Sequence, residues 1–205
     1  MGISAEDLRR SVDEVAAIEP GFAGVIGRIG YPAPRIRVPG YETLLRTIVG
    51  QQVSVKAAQS VWNKLDGLVG GAADPANMVK ASDEMLRGAG LSRQKAGYAR
   101  SLAGEVTSGA LNLSSLPADD EDAIAALTRV KGIGRWSAEI YLLFAEGRRD
   151  VWPAGDLAIQ IAVGQILGHA ERPSEKAIRT LAEAWRPHRG AVALLAWHHY
   201  NTPVL

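Results

Sequence analysis

The sequence contains no cysteine, which excludes disulfides, cysteine-ligated zinc and cysteine-held iron–sulfur clusters together. Aromatic residues fill only 6% of the 205 positions, and five of them are Trp, so the place of each Trp carries information. Neither sign of charge dominates: the formal net charge is +1, so any affinity for a polyanion must come from local patches rather than the overall field. No apolar run reaches the roughly 18–20 residues of a membrane span. The four His form no spaced ligand set. His198 and His199 are adjacent and diverge by about 100° on a helix, which reads as a helix end rather than a metal site. The segment from Met1 to Pro20 is acidic and amphipathic, unlike a secretory signal, so an intracellular protein is expected.

What is present is apolar content of 47%, enough to bury a core, arranged with helical spacing almost throughout. Ser4 is placed to cap a first helix, with Asp7 at the reciprocal position and Leu8, Val12 and Val15 on one face. Pro20-Gly21 reads as its end, and Gly27 to Gly40 as a long loop. Further helices are predicted over Tyr41–Val49, Ser54–Leu65, Ser82–Arg87 and Ser92–Thr107, with Gly67–Pro75 as a loop. An acidic run from Asp119, suited to a helix dipole, opens a helix that stops near Gly132. Trp136–Phe144, Asp156–Leu167, Ser174–Trp185 and Arg189–Tyr200 complete the chain. No strand pattern and no fixed repeat is visible, so the fold class is all-α.

The most informative segment runs from Leu127 to Ala138. A helix ends, Gly132-Ile133-Gly134 turns tightly, and a second helix begins at once. The glycines allow positive φ and leave no Cβ between backbone and ligand. The second helix then offers unpaired N–H groups to an anion, with Lys131 and Arg135 adding charge. A dinucleotide loop would need a preceding strand and a third glycine, and both are missing. Taken alone, the hairpin leaves open a helical corner that binds nothing. Asp156 is similarly ambiguous by position. It begins a helix, where the dipole favours its ionised form, and is also an ordinary N-cap.

The hairpin Val130-Lys131-Gly132-Ile133-Gly134-Arg135-Trp136-Ser137-Ala138, followed by Asp150-Val151-Trp152-Pro153-Ala154-Gly155-Asp156, resembles the helix-hairpin-helix DNA glycosylases. Their signature is a hairpin, a Gly/Pro-rich loop and an Asp. The likeness runs from about Pro39 onward and is strongest to the alkyladenine branch, the 3-methyladenine DNA glycosylases II. It implies a two-lobed all-α fold, with one helical lobe from 1–38 plus 150–205 and a hairpin-bearing lobe from 39–149. Asp156 and Trp197 would face the cleft.

The resemblance also implies roles. Asp156 is the catalytic carboxylate, and its action on an oxocarbenium-like sugar agrees with its chemistry. One carboxylate suffices because an N-alkylated purine is already cationic and leaves without protonation. Bifunctional relatives carry a Lys where this chain has Trp136, so no Schiff base and no lyase activity are expected. Trp136 and Trp197 line the base pocket, with Tyr141 and His198 beside them; a π face attracts a cationic base, while core packing is the competing use of a Trp. Gln51 and Gln52 match the family's wedge loop, with Gln52 at the plug position. Ser92 and Lys95 resemble an element beside the DNA backbone, and Lys131, Gly132, Gly134 and Arg135 form the phosphate grip.

Main-chain carbonyls of Thr128, Val130 and Ile133 are the expected ligands of a structural Na+ or K+; no other cofactor is expected. The implied activity is removal of 3-methyladenine, and of 7-methylguanine, from double-stranded DNA in base excision repair. The enzyme would act as a monomer in the cytoplasm, at the nucleoid in a bacterium. A glycosylase for uracil or a mismatched base and a non-catalytic DNA-binding module are the alternatives.

Overall fold

A computed structural model describes residues 3–202. It is all-α, and among the described residues there is no strand. Among the described residues twelve α-helices follow in order: α1 (Ala5–Ile18), α2 (Pro20–Ile29), α3 (Tyr41–Gly50), α4 (Val55–Val69), α5 (Pro75–Lys80), α6 (Asp83–Gly88), α7 (Arg93–Thr107), α8 (Asp120–Thr128), α9 (Arg135–Tyr141), α10 (Leu157–Ile166), α11 (Glu175–Ala182) and α12 (Arg189–Asn201). A π-helical turn, Leu142–Glu146, continues α9, and a 3-10 turn, Glu183–Trp185, continues α11. Among the described residues no helix is long and apolar enough to cross a membrane.

Most helix starts follow from side-chain caps. Ser4, Ser54, Ser82, Ser92 and Ser174 each accept a backbone N–H three residues on, and Asp119 accepts two, from Glu121 and Asp122. Two helices depart from the sequence reading. α1 ends at Ile18, just before Pro20-Gly21 as expected, but the same Pro20 opens a further helix, α2, with Glu19 accepting from the Gly21 amide. Pro75 likewise opens α5, behind an Asp74 cap. In both, proline stands in the first turn, where it has no partner to lose and its fixed φ suits the helix. The loop expected from Gly27 therefore begins only at Gly30, the C-cap of α2, with φ 75°.

The chain divides into two compact units, Met1–Arg37 with Leu142–Leu205, and Val38–Tyr141. The second boundary falls between Tyr141 and Leu142, within one helical run, whereas the sequence placed it at 149/150. In the unit Val38–Tyr141, α7 packs on α3 and α5, α4 on α6, and α9 on α3 and α8. Leu44, Leu45, Ile48, Leu65, Met78, Leu86, Leu102 and Leu127 are its largest fully buried side chains. In the other unit α10 packs on α12, α2 and α11, and α1 on α2 and α12. Its core holds an aromatic chain, with Phe22 edge-on to Trp185 at 5.2 Å and Trp152 edge-on to Trp185 at 5.7 Å. Trp152 and Trp185 are thus core residues, the role that large aromatics most often take.

Candidate functional site

In the unit Val38–Tyr141, α8 ends at Thr128 and the hairpin closes with two short bonds, Val130 N–H to Leu127 O at 3.2 Å and Ile133 N–H to Val130 O at 3.1 Å. Val130 and Ile133 are buried and anchor the turn, and Ser101 Oγ accepts the Lys131 amide at 3.2 Å. The two glycines serve different ends. Gly132 has φ 88°, and a Cβ there would lie 2.2 Å from the Tyr98 ring. Gly134 does not use the positive φ that the sequence allowed, and a Cβ there would meet nothing within 4 Å.

One open concavity of about 490 Å3 gathers Gln51, Gln52, Ser92, Lys95 and the hairpin from Thr128 to Gly134. Its charged walls are Lys95, Arg129 and Lys131, with no carboxylate, so its chemistry suits an anion. Side chains latch the pieces together. Gln51 Nε2 donates to Gly132 O at 2.8 Å, and Lys95 Nζ donates to Val49 O, at the end of α3, at 2.8 Å. Burial lowers the Lys95 pKa from its ordinary value. Lys95 is therefore a strut for the turn that follows α3, and Ser92 Oγ is the α7 cap, accepting from the Lys95 amide at 3.2 Å. Gln52 is exposed and is the one non-glycine with positive φ, 55°, among the described residues. A left-handed residue costs roughly 1–2 kcal/mol, and such strain gathers at functional turns. Gln52→Gly should accordingly raise stability by about 1 kcal/mol in urea denaturation, while lowering excision from paired lesions more than from unpaired ones; equal losses on both would remove the plug role.

Arg135 is placed differently from the sequence expectation. Its Nη atoms fork onto Glu121 at 2.8 and 2.5 Å, and its Nε donates to the buried Glu139 at 2.9 Å. The bonds to Glu121 raise its pKa further above the usual range. With three donors engaged, Arg135 fastens α8 to α9 rather than presenting itself to phosphate. Lys131 is exposed, with its side chain on the concavity. Lys131→Ala should reduce the dependence of log Kobs on log salt by about one unit. Arg135→Ala should leave that slope unchanged and lower the melting temperature; both are read by salt titration and thermal unfolding.

The expected cation ligands are chemically compatible with a monovalent ion. Thr128, Val130 and Ile133 all wall the concavity, and Val130 O uses only one of its lone pairs on the Ile133 amide. Main-chain oxygens are neutral, hard donors. Among the described residues no group of three His, Asp or Glu offers a competing side-chain metal site.

In the unit Met1–Arg37 with Leu142–Leu205, Asp156 is the N-cap of α10. Its Oδ1 accepts from Ile159 N–H at 3.0 Å and from the Trp197 indole Nε1 at 3.2 Å. Its backbone N–H donates to Pro153 O at 2.9 Å, and the Gln160 side chain donates to Ala154 O at 2.8 Å, so Pro153-Ala154 is tied to the start of α10. The carboxylate is half-buried. The other acid of the loop, Asp150, is committed elsewhere: Arg189 forks onto it at 2.9 and 3.0 Å and Arg186 reaches it at 2.6 Å. Trp197, 6% exposed on α12, stacks obliquely on Phe144, with centroids 5.6 Å apart.

The remaining candidates are described within their own units. Trp136, in the first turn of α9, is 47% exposed. Tyr141 is 2% exposed, and its hydroxyl accepts the Gly40 amide at 2.8 Å. His198 Nε2 lies 3.0 Å from Ile29 O and ties α12 to α2. Sequence reasoning missed Tyr98, whose ring fills the space that Gly132 leaves; its i, i+4 bond from Gln94 at 2.5 Å was the available signal.

The pattern of the family described as HhH-GPD superfamily base excision DNA repair protein matches residues 45–187, which takes in the wedge turn, the hairpin and Asp156. The DNA-3-methyladenine glycosylase 1 of Schizosaccharomyces pombe is 30% identical over 161 residues, covering 77% of this chain and 71% of that one. A crystal structure of a DNA-3-methyladenine glycosidase from Bacillus halodurans superposes with a TM-score of 0.84 at 32% identity, covering 94% of this chain and 89% of that one. The Schizosaccharomyces pombe 3-methyladenine DNA glycosylase in complex with abasic DNA superposes with a TM-score of 0.77 at 26% identity, covering 93% and 95%. A hairpin and a loop-borne Asp that agree with that family match in both sequence and fold make the conclusion direct: the chain belongs to the HhH-GPD superfamily of base excision DNA repair proteins.

Proposed function

We propose that this protein is a monofunctional DNA glycosylase that removes alkylated purines, 3-methyladenine and 7-methylguanine, by hydrolysis of the N-glycosidic bond in double-stranded DNA. The observation that carries the reading is Asp156: a carboxylate fixed at the start of α10 by Ile159 N–H and held against the indole edge of Trp197. The names of the relatives, 3-methyladenine glycosylases from a yeast and a bacterium, support the substrate class.

The walls of the concavity, Lys131 above all, hold the backbone phosphates, and Gln52 fills the gap left when the damaged nucleotide leaves the stack. Thr128, Val130 and Ile133 would hold a Na+ or K+, which when bound supplies a further positive charge toward phosphate. The cationic base is attracted to the π face of Trp197. The bond between the sugar C1′ and the purine nitrogen breaks with both electrons going to the base, which becomes neutral. Asp156 stabilises the positive charge left on the sugar, and water adds to C1′, its proton passing to the carboxylate or to solvent. Position 136 holds Trp and not an amine, so no covalent imine forms and the strand is left uncut. The protein acts as a monomer.

The direct test is incubation of the purified protein with methylated duplex DNA and chromatography of the released bases. Free 3-methyladenine and 7-methylguanine with an alkali-labile but uncut strand is the expected result. Release of uracil alone, from a uracil-containing duplex, would move the assignment to another lesion; binding without release would leave a DNA-binding module.

A further inference from the structure

The face of Trp197 already carries a cation. Between α2 and α3 the chain forms no helix or strand, and Arg35 in that stretch lays its guanidinium carbon 5.4 Å from the Trp197 ring centroid and 5.9 Å from that of Phe144. Arg37 lies 5.8 Å from the same Phe144 centroid. The strap is pinned on both sides of Arg35. Tyr31 donates its hydroxyl to Asp13 at 2.5 Å under the Arg9 guanidinium, and the Arg37 amide donates to Phe144 O at 2.9 Å. Arg35 itself is exposed, and among the described residues no ion pair holds it. What retains it is the aromatic pair.

We propose that Arg35 is a specificity-determining residue: a resident cation on the Trp197 face that cationic bases must displace and neutral bases need not repel. The inference rests on the reading that the excised base docks against Trp197. A guanidinium is planar and stacks on an aromatic face, where the ring quadrupole attracts it as it would attract an alkylated purine. Two like charges do not share that face without a Coulomb penalty. A neutral flat base meets no such penalty. Arg35 therefore handicaps charged lesions relative to neutral ones. Because the glycosidic bond of a cationic base is intrinsically weaker, the handicap narrows the spread of rates between the two classes.

The test compares Arg35→Met, which keeps length and apolar bulk without the charge, with Arg35→Lys, which keeps the charge. The measured quantity is the ratio of kcat/KM on a duplex with 7-methylguanine, a cation, to that on a duplex with hypoxanthine, a neutral purine. Arg35→Met should raise the ratio about threefold to fivefold, the worth of a cation–π contact at an exposed site; Arg35→Lys should leave it near the wild-type value. Equal changes on both duplexes in Arg35→Met, or a rise of the same size in Arg35→Lys, would overturn the proposal. A second readout needs no turnover: quenching of tryptophan fluorescence by 1-methylnicotinamide, a permanent flat cation, against nicotinamide. Arg35→Met should bind the cation about threefold to fivefold more tightly and the neutral probe unchanged; no gain for the cation overturns the role of Arg35. If the wild type releases neither lesion, the functional reading fails and the quenching series still decides the question of Arg35.

Discussion

Asp156→Asn is expected to lower the rate of methylpurine release by about a hundredfold to a thousandfold, the range associated with loss of one preorganised electrostatic group. The same substitution should alter stability by only about 0.5 kcal/mol, because Asn and Asp are comparable N-caps. The bonds explain the asymmetry. Ile159 N–H and Trp197 Nε1 both donate to Oδ1, and an amide oxygen in that place accepts both. What Asn cannot supply is the negative charge opposite a developing sugar cation. Single-turnover rates on methylated duplex, beside thermal unfolding of both proteins, check the claim. A variant that unfolds early would mean that the cap was the main role of Asp156. A variant as active as the wild type would remove it from the chemistry.

The two hairpin glycines should part company with comparable force. Gly132→Ala places a Cβ at positive φ and inside the Tyr98 ring, so Tyr98 and the turn must move; a loss of about 2–3 kcal/mol is expected, in the range of steric and backbone defects taken together. Gly134→Ala meets open space and no backbone strain, so stability should stay within about 0.5 kcal/mol. Its cost should fall on binding. A methyl group at the mouth of the hairpin stands where a phosphate needs close approach, and a loss of DNA affinity of roughly tenfold corresponds to one displaced contact. Urea denaturation and DNA titration at fixed salt separate the two. Gly134→Ala that binds as the wild type does would show that the hairpin touches no backbone at that point.

Those two glycines also mark how far local sequence reading carries. The pattern Gly132-Ile133-Gly134 announces a tight turn, but only the ring of Tyr98, far away along the chain, determines which glycine is indispensable to the fold. Helix starts were legible where the cap lies within three residues of what it caps, as at Ser54, Ser92 and Asp156. Pro20 and Pro75 mark helix breaks in the sequence yet also open α2 and α5, because the same residue that breaks a helix interior is well suited to its first turn. The long side chains were least legible. Lys95 and Arg135 are cations that suit phosphate, and their actual partners, Val49 O and Glu121, are selected by helix packing that no spacing rule encodes. Arg35 was silent for the same reason: its meaning depends on Phe144 and Trp197, more than a hundred positions downstream.

The bonds from Gln51 to Gly132 O and from Lys95 to Val49 O tie the Gln51-Gln52 turn to the hairpin on one side and to α7 on the other. In the proposed plug role, a turn held in this way would meet each step of the duplex already ordered, so ordering it would add little to the cost of each encounter. Intact pairs would then resist it by the strength of their own stacking, and weakened ones would give way. The protein would therefore find its sites as a surveyor finds soft ground, by pressing everywhere with the same rigid point.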